Sequence, residues 1–388
     1  MANEERATRY RRLQRRASIG ATASEGLALA LLVASGSAVS LRDVAEGTVG
    51  TGLPAAAFYG GALIVLLDLV RLPFALYQGV ALERRYGLSV EPLVHWALDR
   101  TKALALALAL GVPAAAIAWG LLQVAPDRWW LLTAVVFTCA VALLTRAGPV
   151  VLMPLFYHVR PLRKPALEAR LVALAQRAGS PVLGAFEWRL SDRTRKANAA
   201  LAGLGRTRRI LVSDTLLAEH SDEEIEIILA HEMAHHVHRD ITATILVEAV
   251  VIAVALFAAD RALALAGPAS GLAEKGDLAG MPLALLAAGA AAMLASPARL
   301  AISRWHERRA DRFALSVTGR TDAFVSAMRR LASQNLAEER PSRLTEILFH
   351  SHPPVAARIA AARRWEEETI QARLKPDATG RAERSRSG

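Results

Sequence analysis

Five apolar stretches, near residues 55–79, 103–125, 129–154, 241–266 and 281–301, are each long enough to cross a hydrocarbon layer ~30 Å thick, which takes about 20 residues. A shorter one, Gly26 to Val33, follows a start that carries six arginines in its first twenty residues. A basic stretch, a short apolar core and a small-residue exit at Ala34 to Ala38 describe both an uncleaved first membrane helix, the reading favoured here, and a cleavable signal peptide. A hydrophobic content of 53% agrees with this density of apolar runs. The expected fold class is therefore mainly α, a polytopic α-helical membrane protein with about six transmembrane helices.

The net charge of +11 comes mostly from arginine, and its placement follows membrane topology. Arg84, Arg85, Arg100 and Lys102 lie between the second and third crossings, whereas the connections at 41–52 and 126–128 hold only Arg42 and Arg128. The positive-inside rule then puts both termini in the cytoplasm, together with the long polar segment 155–240 and the chain beyond 301. The basic excess is accounted for by topology and lipid, so no nucleic-acid partner is expected. The Ala-, Arg-, Leu- and Gly-rich composition points to a GC-rich bacterium, and hence to its cytoplasmic membrane.

These shifts in polarity divide the chain into an N-terminal membrane domain of four helices (1–154), a polar part with a small β-sheet (155–240), two further crossings (241–301), a second polar part (302–374) and a basic tail (375–388) expected to be disordered. In the first polar part, Ala166 to Arg177 has helical spacing and stops at Gly179, Ser180 and Pro181. Phe186 to Leu190, Ala197 to Leu201 and Arg208 to Val212 read as strands, with a turn over Ala202 to Thr207. Ser221 with Glu224 three residues later is a capping-box signature that opens the next helix.

That helix ends in His231-Glu232-Met233-Ala234-His235, an H-E-x-x-H pattern. Four-residue spacing stacks the two imidazoles one turn apart, so both can ligate one zinc ion, while Glu232 reaches a water on that ion. Chance produces the pattern in on the order of one in a hundred chains of this length, and surface histidines on an amphipathic helix are the plainer alternative. Cys139 is the single cysteine, which excludes an internal disulfide and any multi-thiolate site, so a metal must draw on His and carboxylate. Glu307 and Asp311 stand one turn apart on the expected helix Arg299 to Leu315. A gluzincin arrangement uses Glu307 as third ligand and Asp311 to hold a ligand imidazole; alternatively both carboxylates pair with Arg304, Arg308 and Arg309.

Further motifs extend this pattern: Leu72-Pro73-Phe74-Ala75-Leu76-Tyr77 with Glu83, Gly87, Asp99 and Lys102; Asn198-Ala199 with Gly203; Asp214-Thr215-Leu216-Leu217; Ser303, Arg304, Glu307, Ala310 and Asp311; and His352-Pro353-Pro354 with Arg358. In these the chain resembles the type I CAAX prenyl proteases and their smaller bacterial heat-shock relatives, over most of residues 55–370. The resemblance implies a zincin-like α+β protease domain on the cytoplasmic side, with one Zn2+ per chain held by His231, His235 and Glu307. It further implies that His352 and Arg358 help stabilise the tetrahedral oxyanion and that Asn198 helps hold the substrate backbone against an edge strand. Position 240 is Asp, as in the heat-shock relatives, where the prenyl proteases carry His, and Ala200 replaces their Tyr.

The expected function is that of an integral-membrane zinc metalloendopeptidase in which a water, activated by Glu232, attacks the peptide bond. Its partners are the lipid bilayer and a peptide or protein substrate, prenylated or membrane-associated, lying beside the strand Arg208 to Val212. Alternatives are a quality-control protease for membrane proteins with no prenylated substrate, an intramembrane site-two-type protease, and a non-proteolytic membrane scaffold. The acidic stretch Ser221 to Glu226 and the polar flank His236, His238, Arg239 and Asp240 argue against the intramembrane type.

Overall fold

The computed structural model describes residues 2–151, 156–203, 208–266, 272 and 274–374. In chain order its main elements are α1 (Ala2–Ala34), α2 (Ser37–Val49), α3 (Leu53–Leu76), α4 (Leu93–Val124), α5 (Trp129–Val151), β1 (Val159–Pro161), α6 (Pro165–Arg177), β2 (Ala185–Trp188), β3 (Ala199–Ala202), β4 (Arg209–Ser213), α7 (Asp214–Glu219), α8 (Asp222–Val237), α9 (Asp240–Ala266), α10 (Met281–Thr318), α11 (Thr321–Gln334), α12 (Arg343–Phe349) and α13 (Val355–Leu374). Among the described residues six helices are long and apolar enough to cross a membrane: α1, α3 with its extension to Arg85, α4, α5, α9 and α10. In hydrocarbon every backbone donor and acceptor must be satisfied within its own segment, so each apolar run closes into a helix. The basic tail lies outside the described residues, as does most of the expected turn over Ala202 to Thr207.

The sequence reading missed two elements. The connection at 41–52 contains α2, whose Ala45 is buried in a cluster with Ala55, Tyr59 and Leu278. A short strand, β1, adds to the sheet at Val159–Pro161. Two charges three residues apart on α3 find their partners on other helices: Asp68 pairs with Arg100 on α4, and Arg71 reaches Glu25 on α1 at 3.2 Å. Lateral partners on neighbouring helices, rather than the next turn, satisfy these intramembrane charges.

Small residues let the membrane helices approach closely. A Cβ at Gly60 of α3 would lie 2.6 Å from the Ala115 Cβ of α4, and one at Gly111 would lie 2.6 Å from Ile64. Between α3, α4, α5, α9 and α10 remains a cavity of about 340 Å³ lined almost wholly by apolar side chains. Two ion-pair groups lie where Trp129 and Asp277 line this cavity: Arg42 with Asp277 at 2.7 Å, and buried Asp260 with Arg261, Lys275 and the Trp129 indole.

In the four-stranded sheet the order is β1-β2-β4-β3, with β2 and β4 parallel and the two outer pairs antiparallel. Strand β4 is hydrogen-bonded on both sides, so a substrate cannot add beside Arg208 to Val212 as expected. The edge on that side is β3, where Ala199 pairs with Val212 and Ala202 with Arg209. One face of the sheet packs with α6 and α8 into the main core of Leu167, Leu171, Leu174, Ile210, Val212 and Leu229. Helix α8 starts where the sequence places it: Ser221 accepts from the Glu224 N–H, and the Glu224 carboxylate accepts from the Ser221 N–H at 2.9 Å.

Candidate metal centre

Helix α8 carries His231, Glu232 and His235 toward α10. Its two imidazoles stand 5.0 Å apart, ring to ring, one turn apart along the helix. Glu307 of α10 completes the group: its Oε2 lies 3.2 Å from His231 Nε2, and its Oε1 lies 3.5 Å from His235 Nε2. One ligand atom from each of the three residues falls within 4.8 Å of the others. The pairing of Glu307 with Arg304, Arg308 or Arg309 does not occur; Arg304 instead donates to the carbonyls of Glu346 and His350.

Both histidines turn Nδ1 to a carboxylate. Asp311 Oδ1 lies 2.9 Å from His231 Nδ1, as the sequence suggests. Asp240 Oδ2 lies 2.9 Å from His235 Nδ1, a role the sequence reading did not assign. A carboxylate at Nδ1 favours the tautomer with its proton there and leaves the Nε2 lone pair free on the Glu307 side. The carboxylates are themselves held, Asp311 by two hydrogen bonds from Arg358 at 2.8 and 2.5 Å and Asp240 by Arg309. Asp240 could have been found, since it opens α9 only five residues after His235, close enough to fold back on that imidazole.

The donor set suits a divalent cation. Burial alone would lower the His231 imidazole, but the Asp311 and Glu307 carboxylates outweigh it and push it up to about 9, which marks a field that attracts positive charge. Buried Glu307 Oε2 has no well-directed hydrogen bond, despite nitrogen atoms of His231 and His352 at 3.2 and 2.8 Å. Two imidazoles and one carboxylate match the ligand set of a hydrolytic zinc site. Glu232 is half-buried, and among the described residues its carboxylate takes no hydrogen bond or ion pair.

His352 arrives from the loop between α12 and α13 and sets Nδ1 2.8 Å from Glu307 Oε2, with most of its side chain exposed. Arg358, expected at the oxyanion, is half-buried with its donors on Asp311, and its Nη2 is 3.4 Å from His231 Nδ1. Both residues also line a cavity of about 470 Å³ shared with Arg11 and Arg15 of α1. A second cavity, of about 270 Å³, opens beside His235 and Glu307 between α5, α9 and α10. Asn198 is exposed at the start of β3, its backbone N–H donating to Ser213 Oγ at 3.0 Å. The other nearby histidines are engaged elsewhere: His236 Nε2 contacts the Leu201 carbonyl at 3.2 Å, His238 packs on Phe313 and buried His306 packs on Trp305.

Comparison with known proteins agrees with this geometry. Residues 161–366 match the model of Peptidase family M48, and residues 2–158 match that of the CAAX prenyl protease N-terminal region, five membrane helices. The chain therefore belongs to peptidase family M48 and is a metalloprotease embedded in the membrane by several crossings. It is 27% identical over 308 residues to the uncharacterized metalloprotease YhfN of Bacillus subtilis, covering 78% of this chain and 72% of that protein. It is 33% identical over 177 residues to CAAX prenyl protease 1 of Saccharomyces cerevisiae, covering 45% of this chain and 39% of the yeast protein. The crystal structure of S. mikatae Ste24p shares the fold, with a TM-score of 0.79 at 23% identity, over 93% of this chain and 88% of that one.

The carboxylates behind the histidines lend themselves to a direct check. Asp240→Asn and Asp311→Asn should each weaken zinc affinity about 10–100-fold, measured by competition with a chromophoric chelator. Asp68→Asn, remote from the site, should leave it unchanged. Equal affinity in all three variants would remove the role given to Asp240 and Asp311.

Proposed function

We propose that the chain is a zinc endopeptidase whose His231, His235 and Glu307 hold one ion and whose Glu232 is the general base. The observation that carries this reading is the convergence of those three side chains beside an unengaged Glu232. Zinc bound there supplies Lewis acidity to a peptide carbonyl and lowers the pKa of the attacking water. Glu232 takes the proton from that water and delivers it to the leaving amine, so no covalent enzyme intermediate is required. His352, at the open side of Glu307, faces the charge that develops on the carbonyl oxygen. Arg358 adds its positive field to the same region while fixing Asp311. The peptide lies extended along the β3 edge, where main-chain pairing gives affinity without strong sequence demand and Asn198 holds its first residues.

Glu232→Gln should retain zinc and lose peptide cleavage, and Glu307→Ala should lose zinc; turnover in the first variant or full occupancy in the second would refute the assigned roles. Element analysis beside a fluorogenic peptide assay reads both.

The substrate reading is peptide segments delivered from the membrane. The yeast relative's name suggests prenylated CAAX proteins, whereas Asp240 holding His235 matches the bacterial heat-shock pattern and favours unmodified membrane proteins. Paired assays on a farnesylated C-terminal peptide and its unmodified form should give similar kcat/KM. A large preference for the farnesylated form would reverse this choice.

The orientation follows from charge. Arg84 and Arg85 beyond α3 and Arg100 and Lys102 near the start of α4 favour a cytoplasmic site in a bacterial inner membrane. In a Cys139→Ser background, a cysteine at exposed Thr48 should react with an impermeant maleimide added outside intact cells. Protection there until lysis would invert the topology.

A further inference from the structure

Helix α12 has only one side on the protein. Leu344, Ile347 and Leu348, spaced i, i+3, i+4, are 67%, 38% and 39% exposed. Thr345 and Glu346, on the other side, are half-buried where the helix packs on α10. Arg340 and Arg343 flank the apolar face and are exposed. So large an apolar face on a seven-residue helix needs a cover.

Its height on the molecule identifies the cover. Helix α10 has 38 residues, nearly twice what a ~30 Å hydrocarbon layer requires, so it leaves the bilayer partway along. Its apolar part ends near residue 301, and α12 sits at that level. Arg304 Nη1 donates to the Glu346 and His350 carbonyls at 3.0 and 2.7 Å, and Ser351 lines one cavity with Arg299 and Leu300. Ile302 and Trp305 of α10, 37% and 51% exposed, continue outward-facing apolar surface past this level, as the aromatic belt of a membrane interface does. The face of α12 thus extends a surface already in contact with lipid, and its arginines stand where anionic headgroups lie.

We propose that α12 is an amphipathic helix seated in the membrane interface, and that this seat positions His352. The coupling is short: Arg304 holds the His350 carbonyl, and two residues later His352 reaches Glu307. This second half rests on the proteolytic reading given above, whereas the seating does not.

The test uses the full chain with Cys139→Ser, in nanodiscs of phosphatidylethanolamine and phosphatidylglycerol. Spin labels at Leu344 and at Leu348 should collide more with oxygen than with a water-soluble nickel chelate, and a label at exposed Glu367 should show the reverse. Labels at 344 and 348 as accessible to the chelate as the one at 367 would overturn the seating and leave a protein partner as the occupant. Leu344→Ser with Leu348→Ser should then lower kcat several-fold at unchanged zinc content, with a smaller change in KM. Buried labels together with undiminished turnover would overturn the positioning of His352. If the unsubstituted chain binds zinc but cleaves no peptide, the proteolytic reading fails while the depth measurement still decides the seating.

Discussion

Everything in the protease half depends on bringing Glu307 to the two histidines of α8, and that contact is made possible by a membrane hairpin. Glu307 belongs to α10, a helix continuous with a crossing, and His235 lies next to the start of α9, its antiparallel neighbour. The packing of α9 on α10 therefore fixes the distance between His235 and Glu307, which lie far apart in the sequence. Asp240 at the head of α9 contacts both His235 and Arg309 of α10, so one carboxylate pins the register of the hairpin and the orientation of an imidazole. A one-residue slip between the helices would move Glu307 by ~1.5 Å along the axis and turn it by ~100°, out of reach of both histidines.

The charges gathered there are costly unless they compensate one another. Glu307, Asp311 and Asp240 are buried carboxylates, opposed by the guanidiniums of Arg358 and Arg309. The carboxylates exceed the guanidiniums by one charge, and without a metal His231, pushed up to about 9, balances it as an imidazolium. A divalent cation would take over that balance in place of the proton, so metal affinity at this cluster should fall as pH falls.

Much of this was legible because it is local. The helical spacing of His231 and His235, the capping box at Ser221 and the one-turn separation of Glu307 and Asp311 follow from 3.6 residues per turn, and the structure keeps all of them. Apolar run length gave the crossings for the same reason. What failed was lateral. Strand order cannot be read from strand sequences, so β4 was taken for the peptide-binding edge although β3 covers it. Likewise the partners of Asp68 and Arg71 come from neighbouring helices, which local spacing cannot reveal. The hold of Arg358 on Asp311 was likewise not legible, because it joins α13 to α10 across the fold.

The polar residues of the membrane half, remote in sequence from the His231, His235 and Glu307 cluster, have a mechanical role in the contacts they make. Glu83, just beyond α3, binds Lys196 Nζ at 2.9 Å, and Asp99 of α4 binds Arg193, so the segment leading into β3 is held from the membrane side. Asn335 clasps the Ala197 backbone by two hydrogen bonds, and Arg11 of α1 holds the Asn335 and Leu336 carbonyls. On the reading proposed above, peptide pairs with the outer backbone groups of β3, so a further strand could not brace it. Anchoring its entry to α1, α3 and α4 supplies that bracing, with His236 of α8 reaching the Leu201 carbonyl within the strand. The membrane helices thereby set the position of the strand that the proposed function uses.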